Sequence, residues 1–416
     1  MATVARWFRV AGTLGAAGVA VSAIAAAGTP VLAAPAPAAA AAPAASSPDW
    51  TATPLPLPTG AMQNTFQPLA ISCSSATSCF GGGSYRASGF DQRAALLTWT
   101  GTDWTAAQAP LPADAASQTQ LATVASVSCP SAASCFAGGH YRQNPPGGNA
   151  GLLLTLSGGT WSAAAAPLPA NADPGIDASV NGMSCRSANW CTAVGQYDAD
   201  NVQYGLLLRW SDQEWTATAA PVAAGSEVLT LSGVSCPSVA RCFAVGYQLD
   251  ALDNQQPIML TWWKNQWSVV NIALPADAAT NPEAVLGGVS CPAVRRCIAA
   301  GSYIDSAGNT EGVLLSWSGK TWTAQTAPLP ANADTNPWAL LNAVSCPTRS
   351  RCTVGGTYED ASSTPFGLIL NRTGTIWTAI EAPASAYNLT GVSCPSTPSC
   401  FAVSWGIGQP VLLTGP

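Results

Sequence analysis

The fourteen cysteines of this chain fall into seven pairs of one spacing. They stand at Cys73/Cys79, Cys129/Cys135, Cys185/Cys191, Cys236/Cys242, Cys291/Cys297, Cys346/Cys352 and Cys394/Cys400, and every pair reads C-x5-C. Successive pairs begin 56, 56, 51, 55, 55 and 48 residues apart. A period near 50 residues is a repeat architecture, which fixes the fold class before any domain is counted.

The fifth unit shows what repeats. It reads Gly288-Val289-Ser290-Cys291, then Cys297 to Tyr303, then Gly312-Val313-Leu314-Leu315-Ser316-Trp317, then Trp322 to Pro328. These are four short β-rich runs separated by turn residues, here named strands A to D. The Cys loop lies between A and B, a longer Asp/Asn/Gly loop between B and C, and a tight turn between C and D. Pro-Leu-Pro and a long loop follow D. The chain after the leader carries no apolar stripe of helical period, so helices should be rare. Strand A is built of small residues, as crowding round an axis requires. The Trp that opens strand D supplies apolar area between units.

Four antiparallel strands in each of seven units define an all-β, seven-bladed β-propeller. The ends test this. The seventh unit stops after Val411-Leu412-Leu413-Thr414 and lacks a strand D, whereas Asp49-Trp50-Thr51-Ala52 matches the strand-D start Asp103-Trp104-Thr105-Ala106. The N-terminal strand should therefore complete the last blade and close the ring. The competing architectures are a two-sheet sandwich and a string of small β domains; a lone unit of this size buries too little surface to stand by itself.

Ahead of the propeller at 49–416, residues 1–33 read as an export signal. Arg6 and Arg9 precede an apolar run, and Val31-Leu32-Ala33 offers a cleavage site. Residues 34–48 are an Ala/Pro-rich linker. The expected location is secreted, with no membrane span after cleavage. In that compartment seven identical Cys pairs read as seven structural disulfides. Zinc sites want tighter spacing and usually His, but His140 is the sole histidine; redox motifs are C-x-x-C.

The formal net charge is −6, and removal of Arg6 and Arg9 with the leader takes it to −8. Nucleic-acid binding, which needs a basic excess, is not expected. The topology sorts the charges onto two faces. The B–C and D–A loops hold most of the acids. From these the candidate ligand-binding residues are Asp198, Asp200, Asp250, Asp253, Asp305, Asp334 and Asp360. The Cys loops and C–D turns of the other face carry Arg186, Arg241, Arg295, Arg296, Arg349, Arg351, Lys264 and Lys320, with few acids. The plain reading of the acids is that Asp favours turns; the functional one is a mouth that attracts a cation, a cationic ligand or a sugar. Calcium is the one cofactor the acidic loops raise, although none matches the ligand ladder of a calcium loop. No catalytic residue can be assigned: His140, placed directly after strand B, has no partner set, and no two carboxylates stand apart from the rest. Trp190, Trp338 and Trp405 are candidate exposed aromatics.

The recurring Val-Ser-Cys-Pro, Cys-x-Ala-Val/Ala-Gly and Leu-Leu-x-Trp-Ser-Gly-x-x-Trp signature resembles the exported, cysteine-paired β-propeller repeat proteins of bacteria, over residues 49–416. That resemblance implies a fold and a location and no shared activity. The Gly-Gly pairs followed by an aromatic are distantly similar to kelch repeats. Gly158-Gly159-Thr160-Trp161 and Gly319-Lys320-Thr321-Trp322 resemble the end of the sialidase Asp-box turn, without its Asp and without an assignable arginine triad. The expected function is an exported binding or interaction module for an extracellular carbohydrate or protein. The alternative is an extracellular carbohydrate-active hydrolase using the acids of the B–C/D–A face.

Overall fold

The computed structural model describes residues 50–416, apart from residues 88, 90, 145, 146, 174, 176, 224, 225, 407 and 408. The expected export signal and linker lie outside the described residues. Twenty-eight strands form seven four-stranded antiparallel sheets, and no helix occurs among the described residues. In the fifth sheet strand A is Val285–Ala293, strand B Arg296–Ile304, strand C Thr310–Trp317 and strand D Trp322–Thr326, hydrogen-bonded in that order.

The seventh sheet takes its outer strand from the other end of the chain. Strands Asn388–Ser396, Ser399–Trp405 and Pro410–Gly415 are completed by Thr51–Pro54, in a register running from Thr51 opposite Thr414 to Pro54 opposite Val411. Trp50 is buried against this blade beside Leu413 and Val411. It fills the place that Trp322 holds in blade 5, so the end-matching seen in the sequence is the latch of the ring.

Each strand A packs against the strands A of both neighbouring blades, and the strand Gln67–Ser75 of blade 1 meets Asn388–Ser396 of blade 7. The backbones approach so closely that small residues are required. A Cβ on Gly182 would stand 2.8 Å from the Cα of Gly233, and one on Gly391 would stand 3.1 Å from the Cα of Ala70. Strands B and C lie between two blades and are apolar on both faces, so they read as continuous runs instead of alternating. Leu96 packs toward blade 2 and its neighbour Leu97 toward blade 7. Seven apolar clusters result, one at each blade interface. The strand-D tryptophans contribute there: Trp322 meets Phe243 of the preceding blade edge-on, with ring centroids 5.4 Å apart.

The Ser-Cys dipeptide of strand A has a structural meaning. The Cys73 amide donates to Ser393 Oγ of blade 7, Cys129 to Ser72, Cys185 to Ser128, Cys236 to Ser184, Cys291 to Ser235, Cys346 to Ser290 and Cys394 to Ser345, all at 2.9–3.0 Å. Seven serines thus tie seven blades in a closed belt, and the belt crosses the closure between blades 7 and 1 like any other interface.

The same cysteines form all seven expected disulfides: Cys73–Cys79, Cys129–Cys135, Cys185–Cys191, Cys236–Cys242, Cys291–Cys297, Cys346–Cys352 and Cys394–Cys400. Their Cα atoms stand 4.0–4.1 Å apart across each A–B hairpin. The strand-B partners Cys79, Cys135, Cys191, Cys242, Cys297, Cys352 and Cys400 are all buried, one in each of the seven apolar clusters. These cysteines therefore belong to the core. Each staple anchors its loop in a blade interface.

Candidate functional site

Hydrogen bonds confirm how the loops divide. B–C loops bridge to D–A loops at Ala115–Gln143, Ala278–Asp305 and Ala333–Asp360. At the other end, tryptophans closing strand C donate to Cys-loop carbonyls: Trp99 to Ala76, Trp210 to Ala188 and Trp317 to Val294. The two faces assigned from the sequence are therefore the two faces of the ring.

On the B–C/D–A face the carboxylates serve the loops. Asp250 Oδ1 accepts from the amides of Leu252 and Asn254, and Oδ2 accepts from the Asn254 side chain. Asp305 does the same with Ala307 and Asn309, and Asp360 Oδ1 accepts from the amides of Ser362 and Thr364. These backbone donors favour the charged form and hold Asp250 and Asp305 below the ordinary Asp value. Asp334 accepts from the Asn336 amide and the Thr335 hydroxyl. Acids outside the candidate set brace the strands: Asp114 accepts from the buried Tyr141 hydroxyl at 2.9 Å, and Asp277 from Tyr303 at 2.9 Å.

Asp198 has a different setting. It lies on strand B of blade 3 and its amide donates to the Asp177 carbonyl. Burial first, then the Asp177 carboxylate, raises its pKa. Glu311 is raised in the same way, by burial and then by Asp305 and Asp277. Asp200 and Asp253 sit exposed at loop tips in left-handed backbone, with φ of 51° and 59°. The candidate acids are thus distributed over the strand ends and loops of blades 3 to 6, and only local pairings form. Among the described residues no three of His, Cys, Asp and Glu are grouped so as to hold a metal ion. His140 lies within strand B of blade 2, opposite Thr123, and not directly after that strand as its position in the repeat suggests; burial lowers its pKa. Trp338 and Trp405 are exposed, while Trp190 is half-buried in the blade 3–4 interface.

The Cys-loop face is built differently. In blades 4 to 6 its segments Cys236–Cys242, Trp262–Trp267, Cys291–Cys297, Trp317–Trp322, Cys346–Cys352 and Arg372–Trp377 contain Arg241, Lys264, Arg295, Arg296, Lys320, Arg349, Arg351 and Arg372, and no Asp or Glu. The sole ion pair among the described residues, Arg93 with Asp91 at 2.8 Å, lies on the opposite face. Arg296, Arg349 and Arg372 line a recess of about 150 Å³ between blades 5 and 6, walled by Trp317, Ser316 and Thr323. Arg372 Nε is buried and has no hydrogen-bond partner. Arg241 Nε is likewise unpartnered, and its guanidinium lies 4.9 Å from the rings of both Phe243 and Trp263.

Arg372 is the residue the sequence reading passed over. It closes strand C of blade 6, in register with Trp377, where blades 1 and 5 pair Trp99 with Trp104 and Trp317 with Trp322. Aligning the repeats puts an Arg in a Trp column, and that was the available signal.

No protein-family model matches the sequence, and no curated protein does. Solved structures share the fold. An ulvan lyase of a polysaccharide lyase family superposes with a TM-score of 0.52 at 9% identity, covering 85% of this chain and 94% of that one. A Trypanosoma rangeli sialidase gives 0.46 at 9% identity over 84% of this chain, which spans 55% of the sialidase's length. A protein from Dyadobacter fermentans gives 0.48 at 10% identity over 77% of this chain and 98% of that one. At such identities the likeness shows the fold alone, a β-propeller; seven blades, each stapled by a disulfide, define the class of this chain.

Proposed function

We propose that the protein is an exported binding module for extracellular carbohydrate, presenting fixed loops on a stiff ring. The observation that carries this reading is the fate of the loop acids. Asp250, Asp305, Asp334 and Asp360 hold their loops through hydrogen bonds within them. Loops braced in this way lose little conformational entropy on binding, which favours recognition. Seven disulfides and the absence, among the described residues, of any helix long and apolar enough to cross a membrane fit an extracellular setting. The ulvan lyase propeller, named as bound to -[GlcA(1-4)Rha3S]-, gives the same scaffold a carbohydrate precedent. The test is a glycan array probed with the chain from residue 34 onward, beside thermal melts with calcium and with chelator. Saturable binding to a defined set of glycans is expected; an array with no signal on any glycan removes the reading.

A hydrolase is the second reading, and one observation favours it: burial, and then the Asp177 carboxylate, raise the Asp198 pKa, the direction of shift that suits a general acid. Its test is Asp198→Asn, which must abolish turnover of any glycan the protein cleaves.

A further inference from the structure

Eight cations in blades 4 to 6 share a face segment with no carboxylate, and three of them converge on one recess. Like charges brought together without a counter-charge repel; Arg241 and Arg372 are offset in part by the aromatic rings they lie over, but among the described residues no hydrogen bond or ion pair holds the side chains of Arg296 and Arg349. The recess has neighbours. Arg296 and Arg349 also line a wider groove of about 660 Å³ with Arg295, Val294 and Pro237, running toward blade 4. Arg372 also lines a pocket of about 280 Å³ with Arg351, toward blade 7. The groove is of a size that takes a small ligand or a few sugar residues, and the recess is room for one anionic group with a little water. Beyond the groove, Trp263 stands 47% exposed with Arg241 against its face. Trp317 joins the two ends, lying 5.8 Å from Arg241 and walling the recess.

We propose that the Cys-loop face of blades 4 to 6 binds an acidic polysaccharide, with Arg296, Arg349 and Arg372 taking one sulfate or carboxylate group in the recess and Trp263 offering a flat face to a sugar ring. The inference goes beyond the carbohydrate reading, whose loops lie on the opposite face, and rests on it only for the polymer; the recess itself supplies the preference for charge. Geometry favours a sulfate ester or uronate over nucleic acid. Both are terminal groups that project from their chain and can enter a recess, whereas a phosphodiester is held in its backbone by two ester bonds. A guanidinium presents paired donors that match either oxyanion, and three of them line the recess.

The experiment is calorimetric titration of the chain from residue 34 at low salt with dextran sulfate, polygalacturonate, neutral dextran and duplex DNA. It compares the native protein with Arg372→Met, Arg296→Met and Arg186→Met, the last a cation of the same face in blade 3. Melting temperatures are recorded for each variant, and Arg296, being exposed, keeps the test valid if Arg372→Met fails to fold. Binding of dextran sulfate or polygalacturonate is expected to weaken roughly ten- to a hundredfold in Arg372→Met and Arg296→Met, and by less than about threefold in Arg186→Met. Equal weakening in all three overturns the recess in favour of diffuse charge. Binding of neutral dextran untouched by any variant, with no response to the anionic polymers, also overturns it but leaves the carbohydrate reading standing. Tighter binding of duplex DNA through the same arginines retains an anion site and overturns the polysaccharide as its occupant.

Discussion

The two faces of the ring carry opposite charges, and they use them in opposite ways. On the B–C/D–A face Asp114, Asp250, Asp277, Asp305, Asp334 and Asp360 all accept hydrogen bonds from their own loops and strands. On the Cys-loop face the loops are held by disulfides and by the serine belt, and the side chains of Arg296, Arg349 and Arg351 have no hydrogen-bond or ion-pair partner among the described residues. Charge alone is therefore a poor guide to function. The acidic face, denser in ionisable groups, has committed many of them to the fold; the sparser basic sector keeps its groups free for a partner.

Both faces exist only while the ring is closed, so the largest effect should come from the latch. Deleting residues 50–58 removes the strand that pairs with Pro410–Gly415 and the buried Trp50. The exposed sheet edge and apolar surface should abolish the cooperative melt and cause association, read by calorimetry and size-exclusion chromatography. A sharp melt retained by the truncated chain would show that the belt and the apolar clusters close the ring unaided.

Next in size is a brace on the acidic face. Asp114→Ala leaves the hydroxyl of the fully buried Tyr141 without its acceptor. The expected loss is about 1–3 kcal/mol in denaturant unfolding. The matching change on the other side, Ser290→Ala, strips one member from the belt and leaves the Cys346 amide unpaired, for an expected loss of about 1 kcal/mol. Arg349→Met should have a small effect of opposite sign. Removing one cation from an uncompensated group lowers repulsion, so the melting temperature should hold or rise slightly. A clear loss on Arg349→Met would mean that the cluster is structural, and the contrast between the faces would fail.

The division of labour was legible in part. Cysteine spacing, the tight turns and the match of Trp50 to Trp104 carry the whole topology, because each is a local pattern repeated at a fixed interval. The brace role of the acids was also written locally, as Asp250 to Asn254, Asp305 to Asn309 and Asp360 to Thr364 at one common spacing. What the chain does not display is any relation between blades. Six links of the serine belt join residues 49–57 positions apart and the seventh joins residues 320 apart, so its meaning emerges only when pairs such as Ser290 and the Cys346 amide are brought face to face. Arg372 is hidden for a similar reason: its significance lies in Arg296 and Arg349, which other loops bring to the same recess.

The finest test uses two neighbouring acids of blade 5. Asp305, with amide donors around it, is held below its ordinary value; Glu311, half-buried beside Asp305 and Asp277, is held above. Linkage gives them opposite signs. Asp305 contributes stability that is present above the unfolded Asp value of 3.8 and lost as pH falls through its lower folded value. Glu311 contributes stability that is present below the unfolded Glu value of 4.5 and lost as pH rises through its higher folded value. Glu311→Gln should therefore raise the melting temperature at pH 7 by a small amount, and the gain should vanish as the pH is lowered to 4. Asp305→Asn should lower it at pH 7, with the loss shrinking only in more acidic solution. Melts of both variants from pH 3 to 8 separate the two. If both variants shift stability in one direction across that range, Glu311 is a brace like its neighbours, and the acidic face holds no strained carboxyl at this position.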